Sequence, residues 1–279
     1  MEFQTPHSIR CQDKLLSLER PLVMGILNIT PDSFFDGGRF NSIETAINQA
    51  QKMLQEGAGI IDLGAASSKP GSGLISSNEE CDRLLPVLKE LILQFPQAIF
   101  SVDTYNSATA SAALNAGAHI INDISAGTID KEMLAVVGAF KAPYIMMHMQ
   151  GVPESMQDQP QYDFIVSEIK QYFALKIEEA YAAGITDIVL DPGFGFGKTV
   201  AHNFEILKYL EAFKTLNLPI LAGLSRKSMI YKTLQTTPEN ALNGTSVLHT
   251  IALSKGAQIL RVHDVAPAVE CIQLMEALN

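Results

Sequence analysis

The sequence contains few cysteines, no excess of basic residues and no long hydrophobic run. Its three cysteines, Cys11, Cys81 and Cys271, are far apart and form no Cys-x-x-Cys pair, which argues against a disulfide framework and favours a reducing, cytoplasmic setting. No apolar stretch approaches the ~20 residues that a membrane span needs. The residues after Met1 lack the apolar core of a secretory signal, so we expect neither a membrane anchor nor export.

The charge balance argues against a nucleic-acid partner. The chain has 30 acidic and 20 basic residues, a net charge of −10 and no basic run. A nucleic-acid surface needs many clustered Lys and Arg side chains to replace the counterions of the phosphates. Any anion that binds here must therefore be held by a local cluster that acts against the overall field.

Short apolar runs alternate with segments of helical periodicity, a pattern typical of a parallel α/β fold. After the first run, Ile43, Ile47, Ala50 and Leu54 recur at the spacing of one helix face. Because single α/β barrels commonly reach this length, we predict one (β/α)8 TIM barrel over residues 1–279. An open doubly wound sheet is the alternative, since periodicity does not separate the two folds. The eight apolar runs cover residues 23–27, 60–63, 99–102, 120–121, 144–147, 188–190, 219–221 and 259–262.

Several boundaries of the predicted elements are marked by local signals. Ser77 and Glu80 have the spacing of a capping box at the start of the helix after the second strand. Long loops follow the first and second strands, and we expect both to be mobile. Residues 1–20 are predicted to be an N-terminal extension that forms a hairpin at the bottom of the barrel. Glycines that suit the left-handed position after a helix precede four strands: Gly57, Gly117, Gly184 and Gly256.

Polar residues gather where the predicted strands end. A strand that served packing alone would stay apolar there, and the carboxyl ends of the strands form the active face of a barrel. Alternation along the last strand also places Arg261 and His263 on one face. We therefore predict a functional site on this rim. The residues concerned are Asn28, Asp62, Asp103, Asn122, Asp123, His148, Asp191, Ser225, Arg226, Lys227, Arg261 and His263.

Two segments on this rim bear on the kind of ligand. Residues 191–198 (DPGFGFGK) are rich in glycine, but they lack the Walker spacing and the Gly-x-Gly-x-x-Gly pattern, which argues against a nucleotide site. Residues 223–228 (GLSRKS) place two cations and N-terminal amides at a strand end and a predicted helix start, which favours an anion.

Seven segments occur in the order found in one enzyme family. They are residues 28–34 (NITPDSF), 101–104 (SVDT), 121–124 (INDI), 148–151 (HMQG), 191–198 (DPGFGFGK), 225–227 (SRK) and 261–264 (RVHD). Together they closely resemble the dihydropteroate synthases of the pterin-binding barrel family, over about residues 21–275. The resemblance implies a folate-pathway transferase that condenses 6-hydroxymethyl-7,8-dihydropterin pyrophosphate with para-aminobenzoate. The products are 7,8-dihydropteroate and pyrophosphate, and Mg²⁺ assists.

The resemblance also implies a binding role for each matching residue. A pterin presents adjacent N–H donors, and a carboxylate can accept two of them in parallel. The positions that match the pterin site are Asp103, Asn122, Met147, Asp191 and Lys227. Those that match the pyrophosphate site are Asn28, Ser68, Lys69, Arg261 and His263, with Asn28 also as the Mg²⁺ contact. The para-aminobenzoate pocket is expected from Phe34, Phe35, Ser68, Pro70, Ser225 and Lys227.

The chemistry implied by the family is dissociative. Pyrophosphate leaves from the methylene carbon, and the arylamine then attacks a cation that is delocalised into the dihydropterin. Asp103 is expected to stabilise that cation, and both long loops are expected to close over the site. The residues expected to act in catalysis are Asp103, Lys227, Arg261, His263 and Lys69.

The second loop departs from the family pattern, which usually has Ser-Thr-Arg-Pro-Gly where this chain has Ser-Ser-Lys-Pro-Gly at residues 67–71. Lys69 keeps the charge of the arginine but lacks its planar fork, so a bidentate clamp on pyrophosphate is not available. The affinity of sulfonamide inhibitors, which mimic aminobenzoate near this loop, is in question for the same reason. We expect Lys69→Arg to raise the affinity for the pterin pyrophosphate, and unchanged steady-state kinetics would contradict the weaker clamp.

Other interpretations of the sequence remain. A pterin-binding barrel of the methyltetrahydrofolate:corrinoid methyltransferase kind would share the pterin site but needs no pyrophosphate cluster, so Lys69, Arg261 and His263 weigh against it. A catalytically silent pterin-binding protein is the alternative from another class. Release of pyrophosphate separates the synthase from both. The resemblance further implies a homodimer that pairs through outer helices in the later part of the chain.

Overall fold

The computed structural model describes residues 8–29, 38–66, 75–152, 156 and 160–278; for residues 38–42 it describes the backbone alone. The predicted loop residues Phe34, Phe35, Ser68, Lys69 and Pro70 lie outside these ranges. Within the described ranges, no helix combines the length and the apolarity that crossing a bilayer requires.

Eight parallel strands follow one another around a barrel. They are β3 (Leu22–Asn28), β4 (Ile60–Gly64), β5 (Phe100–Asp103), β6 (Ile120–Asp123), β7 (Tyr144–Met147), β8 (Ile188–Asp191), β9 (Leu221–Ala222) and β10 (Ile259–Val262). The hydrogen-bonded order is β8-β7-β6-β5-β4-β3-β10-β9, and a parallel bridge between Leu190 and Ile220 joins the two edges. The predicted (β/α)8 barrel is therefore confirmed, and the open doubly wound alternative is wrong.

Helices lie between successive strands and cover the outside of the barrel. They are α1 (Gly38–Gln55), α2 (Ser77–Gln94), α3 (Ser107–Asn115), α4 (Met133–Phe140), α5 (Ile165–Ala182), α6 (Val200–Lys208), a 3₁₀ helix (Leu210–Leu216), α7 (Ser228–Thr233), α8 (Leu242–Ser254) and α9 (Val265–Glu276). The four glycines predicted at helix ends, Gly57, Gly117, Gly184 and Gly256, all have positive φ, between +90° and +106°. A residue with a Cβ would be strained there.

The bottom of the barrel is apolar and is covered by a hairpin. Strands β1 (Ser8–Cys11) and β2 (Lys14–Ser17) pair antiparallel. The buried side chains of Ile9, Cys11 and Leu18 pack against a layer of inward-facing strand residues. That layer consists of Met24, Ile60, Ile99, Ile120, Ile145, Val189, Leu221 and Ile259. Side chains of the described residues therefore fill this end of the barrel.

The inward layer also determines which polar residues face the upper part of the barrel. Side chains two residues apart on a strand point to the same face. Two residues beyond Ile60, Ile120, Ile145, Val189 and Ile259 stand, in order, Asp62, Asn122, Met147, Asp191 and Arg261. The alternation of the strands therefore converts an apolar floor into a mainly polar layer just above it.

The predicted capping box is displaced by one residue. Ser76, not Ser77, caps α2, and its Oγ accepts a hydrogen bond from the Glu79 backbone amide at 3.3 Å. Glu80 does not reach back to the helix start, because its buried carboxylate binds donors of the next βα unit instead. These donors are Thr104 Oγ1, Asn106 Nδ2 and Thr109 Oγ1. These hydrogen bonds between distant segments replace the contact that Glu80 would make in a capping box.

The lower barrel contains a histidine that is expected to make the fold sensitive to acid. The His119 side chain is 5% exposed, and its Nδ1 accepts a hydrogen bond from the Phe100 amide. Burial, with help from the Lys14 cation, lowers the pKa of His119 from 6.5 to about 4. Between about pH 4 and pH 6.5, the unfolded chain binds a proton at His119 that the folded protein does not. The stability of the fold therefore falls as the pH falls through this range.

We expect His119 to contribute about 2 kcal/mol to the loss of unfolding free energy between pH 7 and pH 5. Urea unfolding at both pH values measures this loss. His119→Gln keeps a side-chain acceptor and removes the titrating group, so its pH dependence should be smaller by about that amount. An unchanged pH dependence would show that His119 is not held neutral in the folded protein.

Candidate active site

An arginine bridges two carboxylates at the carboxyl ends of the strands. Arg261, on β10, donates from Nε to Asp62 Oδ2 at 2.7 Å and from Nη2 to Asp103 Oδ2 at 2.6 Å. Asn122 Nδ2 donates to the same Asp62 oxygen at 3.1 Å. Asp62 is fully buried, whereas the Arg261 and Asp103 side chains are 19% and 14% exposed. One hydrogen-bonded network thus joins residues of strands β4, β5, β6 and β10. The most deeply buried of its charged side chains is Asp62.

A second set of opposite charges, Asp191 and Lys227, lies near the barrel mouth. A Cβ placed on Gly223 would lie 3.8 Å from both Asp191 Oδ2 and Lys227 Nζ, which shows that the two charged groups face the same small space. The other Asp191 oxygen accepts from the Gly193 amide at 2.7 Å. Burial lowers the pKa of Lys227 to about 8, although Asp191 opposes the shift. Burial likewise raises the pKa of Asp191.

The glycine-rich segment 191–198 holds Lys227 in place. Lys227 Nζ donates to the Phe194 carbonyl and lies 4.7 Å from the centre of the Phe196 ring, within cation–π distance. Gly193 has a φ of +72°, and a Cβ there would lie 2.0 Å from the His148 carbonyl oxygen. Glycine is therefore required for a tight turn that presents a carbonyl and a ring to the lysine, not for binding phosphate.

The same segment is anchored by a buried lysine. Lys198 is 3% exposed, and its Nζ contacts His148 Nδ1 at 3.0 Å, the His148 carbonyl at 3.1 Å and the Phe196 carbonyl at 2.9 Å. Burial lowers the pKa of Lys198, and burial together with this ammonium lowers the pKa of His148 to about 2. His148 therefore serves as a neutral acceptor that fixes the segment, and we assign it no direct role in catalysis.

Only one of the two cations in residues 225–227 belongs to the cluster. Arg226 has a φ of +54°, and its guanidinium forms two hydrogen bonds, of 2.7 and 2.9 Å, with Asp264. It also donates to the carbonyls of Pro238 and Glu239. The expectation that both cations favour an anion is wrong for Arg226, because this side chain is used to tie two loops together.

Ser225 and His263 meet at the edge of the cluster. The Ser225 hydroxyl accepts from the His263 backbone amide at 3.2 Å and contacts His263 Nδ1 at 3.0 Å. Ser225 is 4% exposed, whereas His263 is exposed. The imidazole is thus fixed through one nitrogen and open to solvent or ligand on its other side.

The remaining predicted residues line the same end of the barrel. Asn28 is exposed at the end of β3, and a Cβ on Gly64 would lie 3.7 Å from its Oδ1 and 3.8 Å from Asp103 Oδ2. Met147 is buried and packs in a small apolar group with Tyr105 and Ile124. The described residues that were predicted for pterin, pyrophosphate and aminobenzoate binding therefore lie on one face.

The sequence predicts Asp62 as a polar residue at a strand end but does not predict a role for it. The structure makes it the shared acceptor of Arg261 and Asn122. The Phe194 carbonyl and the Phe196 ring, which contact Lys227, were not predicted from the sequence either. The Asp62 position was available from strand alternation, whereas the Lys227 contacts depend on the path of a loop.

The comparisons with known proteins show the family of the chain. A family model described as "Pterin binding enzyme" matches residues 24–263. The dihydropteroate synthase of Escherichia coli (strain K12) is 43% identical over 274 residues, covering 95% of this chain and 94% of that protein. The dihydropteroate synthase of a Synechocystis species is 43% identical over 263 residues, covering 93% and 91%.

Solved structures of the same family superpose closely. The Yersinia pestis dihydropteroate synthase in complex with a sulfonamide drug has a TM-score of 0.92 and 42% identity, covering 97% of this chain and 98% of that one. The Xanthomonas albilineans dihydropteroate synthase with 4-aminobenzoic acid has a TM-score of 0.91 and 38% identity, covering 98% of both chains. The chain therefore belongs to the dihydropteroate synthases of the pterin-binding enzyme family.

Proposed function

We propose that this synthase binds its pterin through the acceptors Asp103, Asn122 and Asp191, with Lys227 beside them and Met147 as an apolar wall. The observation that carries the proposal is the convergence of these acceptors and one ammonium at one end of a barrel whose other end is filled. Carboxylate and amide oxygens are the groups that accept the adjacent N–H donors of an aminopyrimidinone edge. A strand that served packing alone would not carry so many acceptors at its carboxyl end.

The pyrophosphate is assigned to Asn28, Arg261 and His263, together with Ser68 and Lys69 of the second loop. Arg261 has one guanidinium nitrogen, Nη1, outside its two ion pairs with Asp62 and Asp103. His263 keeps one ring nitrogen away from Ser225. Both groups can therefore donate to a leaving anion while their other bonds hold them in place.

The residues present fit a Mg²⁺ ion that is shared with the substrate. The described part of the chain holds no cluster of three or more carboxylate, histidine or cysteine ligands. It does offer the Asn28 amide oxygen, at the exposed end of β3 and close to Asp103. One protein oxygen with phosphate oxygens and waters is a normal Mg²⁺ environment. When bound, the ion would neutralise charge on the pyrophosphate oxygens.

The protein's own part in the condensation is electrostatic. Arg261, His263 and Lys69 stabilise the negative charge that develops as pyrophosphate leaves the methylene carbon. The Asp103 carboxylate stabilises the positive charge that develops on the dihydropterin. The arylamine of para-aminobenzoate then attacks that carbon. No residue is assigned as a nucleophile.

The second substrate is assigned to a pocket formed by Ser225, Lys227 and the two long loops. The Lys227 ammonium provides a positive charge for the aminobenzoate carboxylate, and the buried Ser225, whose hydroxyl contacts His263 Nδ1, is assigned to the wall of the same pocket. By the family resemblance, Phe34, Phe35, Ser68 and Pro70 are assigned to the walls of this pocket.

The test of the function is pyrophosphate release by purified protein with Mg²⁺, the dihydropterin pyrophosphate and para-aminobenzoate, with each component omitted in turn. Release that needs both substrates and yields dihydropteroate supports the proposal. Pterin binding without release would favour a silent pterin-binding protein. Methyl transfer from methyltetrahydrofolate to a corrinoid would favour the methyltransferase alternative.

We also propose that the chain works as a cytoplasmic homodimer. Helix α8 contains no Lys, Arg, Asp or Glu, and Val247 and Ile251 on its outer face are 52% and 36% exposed. The neighbouring helix α9 exposes Leu274, and Leu278 follows it. An uncharged helix with exposed apolar side chains, such as α8, is typical of an interface, and the resemblance favours a second copy of the chain as its partner. The free cysteines are consistent with a reducing compartment.

If the dimer forms through α8, a charge introduced on α8 should disrupt it, whereas a charge introduced on α2 should not. Ile251→Glu on α8 should convert the protein to a monomer in sedimentation equilibrium. Leu93→Glu on α2, where the leucine is 71% exposed, is the matched control and should leave the mass unchanged. A wild-type protein that is monomeric at micromolar concentration would refute the assignment.

A further inference from the structure

Asp62 is the most deeply buried charge of the cluster. Its side chain is fully buried, and its Oδ2 accepts from both Arg261 Nε and Asn122 Nδ2. Its other oxygen, Oδ1, is buried without a hydrogen-bond partner among the described residues. A buried carboxylate is costly unless it does something that an apolar residue of similar size could not do. None of the substrate contacts proposed above uses it.

The contact with Asn122 fixes the direction of an amide. An amide group offers a donor at one end and an acceptor at the other, and either end can face a ligand. The Asp62 carboxylate, in its ion pair with Arg261, can only accept. It therefore takes the NH₂ group of Asn122, so the amide oxygen is the atom left for a ligand. Because a pterin edge presents N–H groups, this orientation selects for it.

The contact of Asp62 with Arg261 affects how easily a ligand can bind the Asp103 oxygens. Arg261 holds both carboxylates at once, with 2.7 Å to Asp62 and 2.6 Å to Asp103. When a ligand takes the Asp103 oxygens, Arg261 still has a buried carboxylate partner. Without the Asp62 charge, Arg261 would depend on Asp103 alone, and a ligand would have to break the only carboxylate contact described for this arginine.

We propose that Asp62 is a positioning residue for pterin recognition, which orients the Asn122 amide with its oxygen toward the ligand and holds Arg261 so that Asp103 is free to accept from the pterin. This inference rests on the proposed pterin roles of Asp103 and Asn122. It assigns the selectivity of the site to a residue that touches two binding residues instead of the ligand.

The test compares two ligands that differ at C2 and the adjacent ring nitrogen N1. They are 6-hydroxymethyl-7,8-dihydropterin and the corresponding lumazine, in which a carbonyl acceptor replaces the 2-amino donor and N1 carries a hydrogen. Calorimetry gives both dissociation constants and their ratio. We expect the wild-type protein to prefer the pterin by at least about 100-fold, because the lumazine leaves buried acceptors unpaired. Asp62→Asn should lower this ratio at least about tenfold, since an amide at position 62 no longer dictates which end of Asn122 it binds.

The control is another buried carboxylate, Asp123, on the same strand as Asn122. Asp123 accepts from Tyr144 Oη, Ser125 and the Gly127 amide, and none of its hydrogen bonds in the described part of the chain involves Arg261 or Asn122. Asp123→Asn should lower the thermal unfolding temperature and leave the ligand ratio within about twofold of wild type. A loss of ratio in this variant equal to that in Asp62→Asn would reduce Asp62 to a general structural role and overturn the inference.

A swapped pair keeps the test decisive if Asp62→Asn does not fold. In the double variant D62N/N122D, the amide and the carboxylate exchange strands, so an acceptor oxygen again faces the ligand. We expect the pterin-to-lumazine ratio to return to within about threefold of wild type, although both ligands bind more weakly. A ratio that stays low in the swap would refute the orientation argument.

The failure of the inference and that of the pterin site are distinguishable. If Asn122→Ala and Asp103→Asn lower the pterin affinity while Asp62→Asn keeps the wild-type ratio, the site stands and the role of Asp62 is wrong. If Asn122→Ala and Asp103→Asn leave pterin binding unchanged, the proposed pterin site is wrong and the inference falls with it.

Discussion

Replacing Arg261 by methionine is expected to abolish synthesis and to destabilise the protein. The guanidinium is the described partner of both Asp62 and Asp103, so its loss leaves two buried or half-buried carboxylates without a countercharge. Breaking such a pair costs about 3 kcal/mol of unfolding free energy. Loss of a donor to the leaving pyrophosphate should lower kcat/KM by at least about 10³-fold. Urea unfolding and pyrophosphate release measure the two effects separately.

A double variant separates stability from catalysis. In D62N/R261M the buried Asp62 charge is removed together with its partner, so most of the lost unfolding free energy should return. Activity should not return, because the donor to pyrophosphate is still missing. Arg261→Lys keeps the charge but not the fork, and intermediate activity is expected. Wild-type turnover in R261M would show that Arg261 serves the fold alone.

The barrel and most of the site follow from the alternation of short strands. Several inward apolar residues, such as Ile60 and Val189, are followed two residues later by an inward polar one, here Asp62 and Asp191. Sequence alone therefore predicts both the filled floor and the polar layer above it. It also predicts the helix ends at Gly57 and Gly117, because only a left-handed residue connects each helix to its strand so closely.

Contacts that depend on the paths of loops could not be predicted in this way. Arg226 and Lys227 are adjacent cations, yet only the backbone turn at φ +54° decides that Arg226 faces Asp264 while Lys227 faces the barrel mouth. The cap of α2 moved by one residue because Glu80 found three donors on another βα unit. Such choices are settled by hydrogen bonds between segments distant in sequence, which no local pattern encodes.

Replacing Lys227 by methionine is the second change expected to stop the reaction. Its ammonium faces Asp191, binds the Phe194 carbonyl and lies over the Phe196 ring, at the junction of the proposed pterin and aminobenzoate sites. Methionine keeps the length and loses the charge, so we expect kcat/KM to fall by about 10²- to 10³-fold for both substrates. The fold should be affected less than by Arg261→Met, because the Gly193 amide still binds the buried Asp191.

The depressed pKa of Lys227 gives this assignment a pH signature. Burial places its pKa at about 8, so the ammonium form is present below that pH and is lost above it. If the charge is needed, kcat/KM should fall about tenfold per unit as the pH rises beyond about 8. Lys227→Arg stays protonated throughout this range, so the alkaline fall should move to higher pH even if the arginine variant is slower. A wild-type profile that stays flat to about pH 9.5 would contradict the role of the ammonium, since most Lys227 side chains would then be neutral.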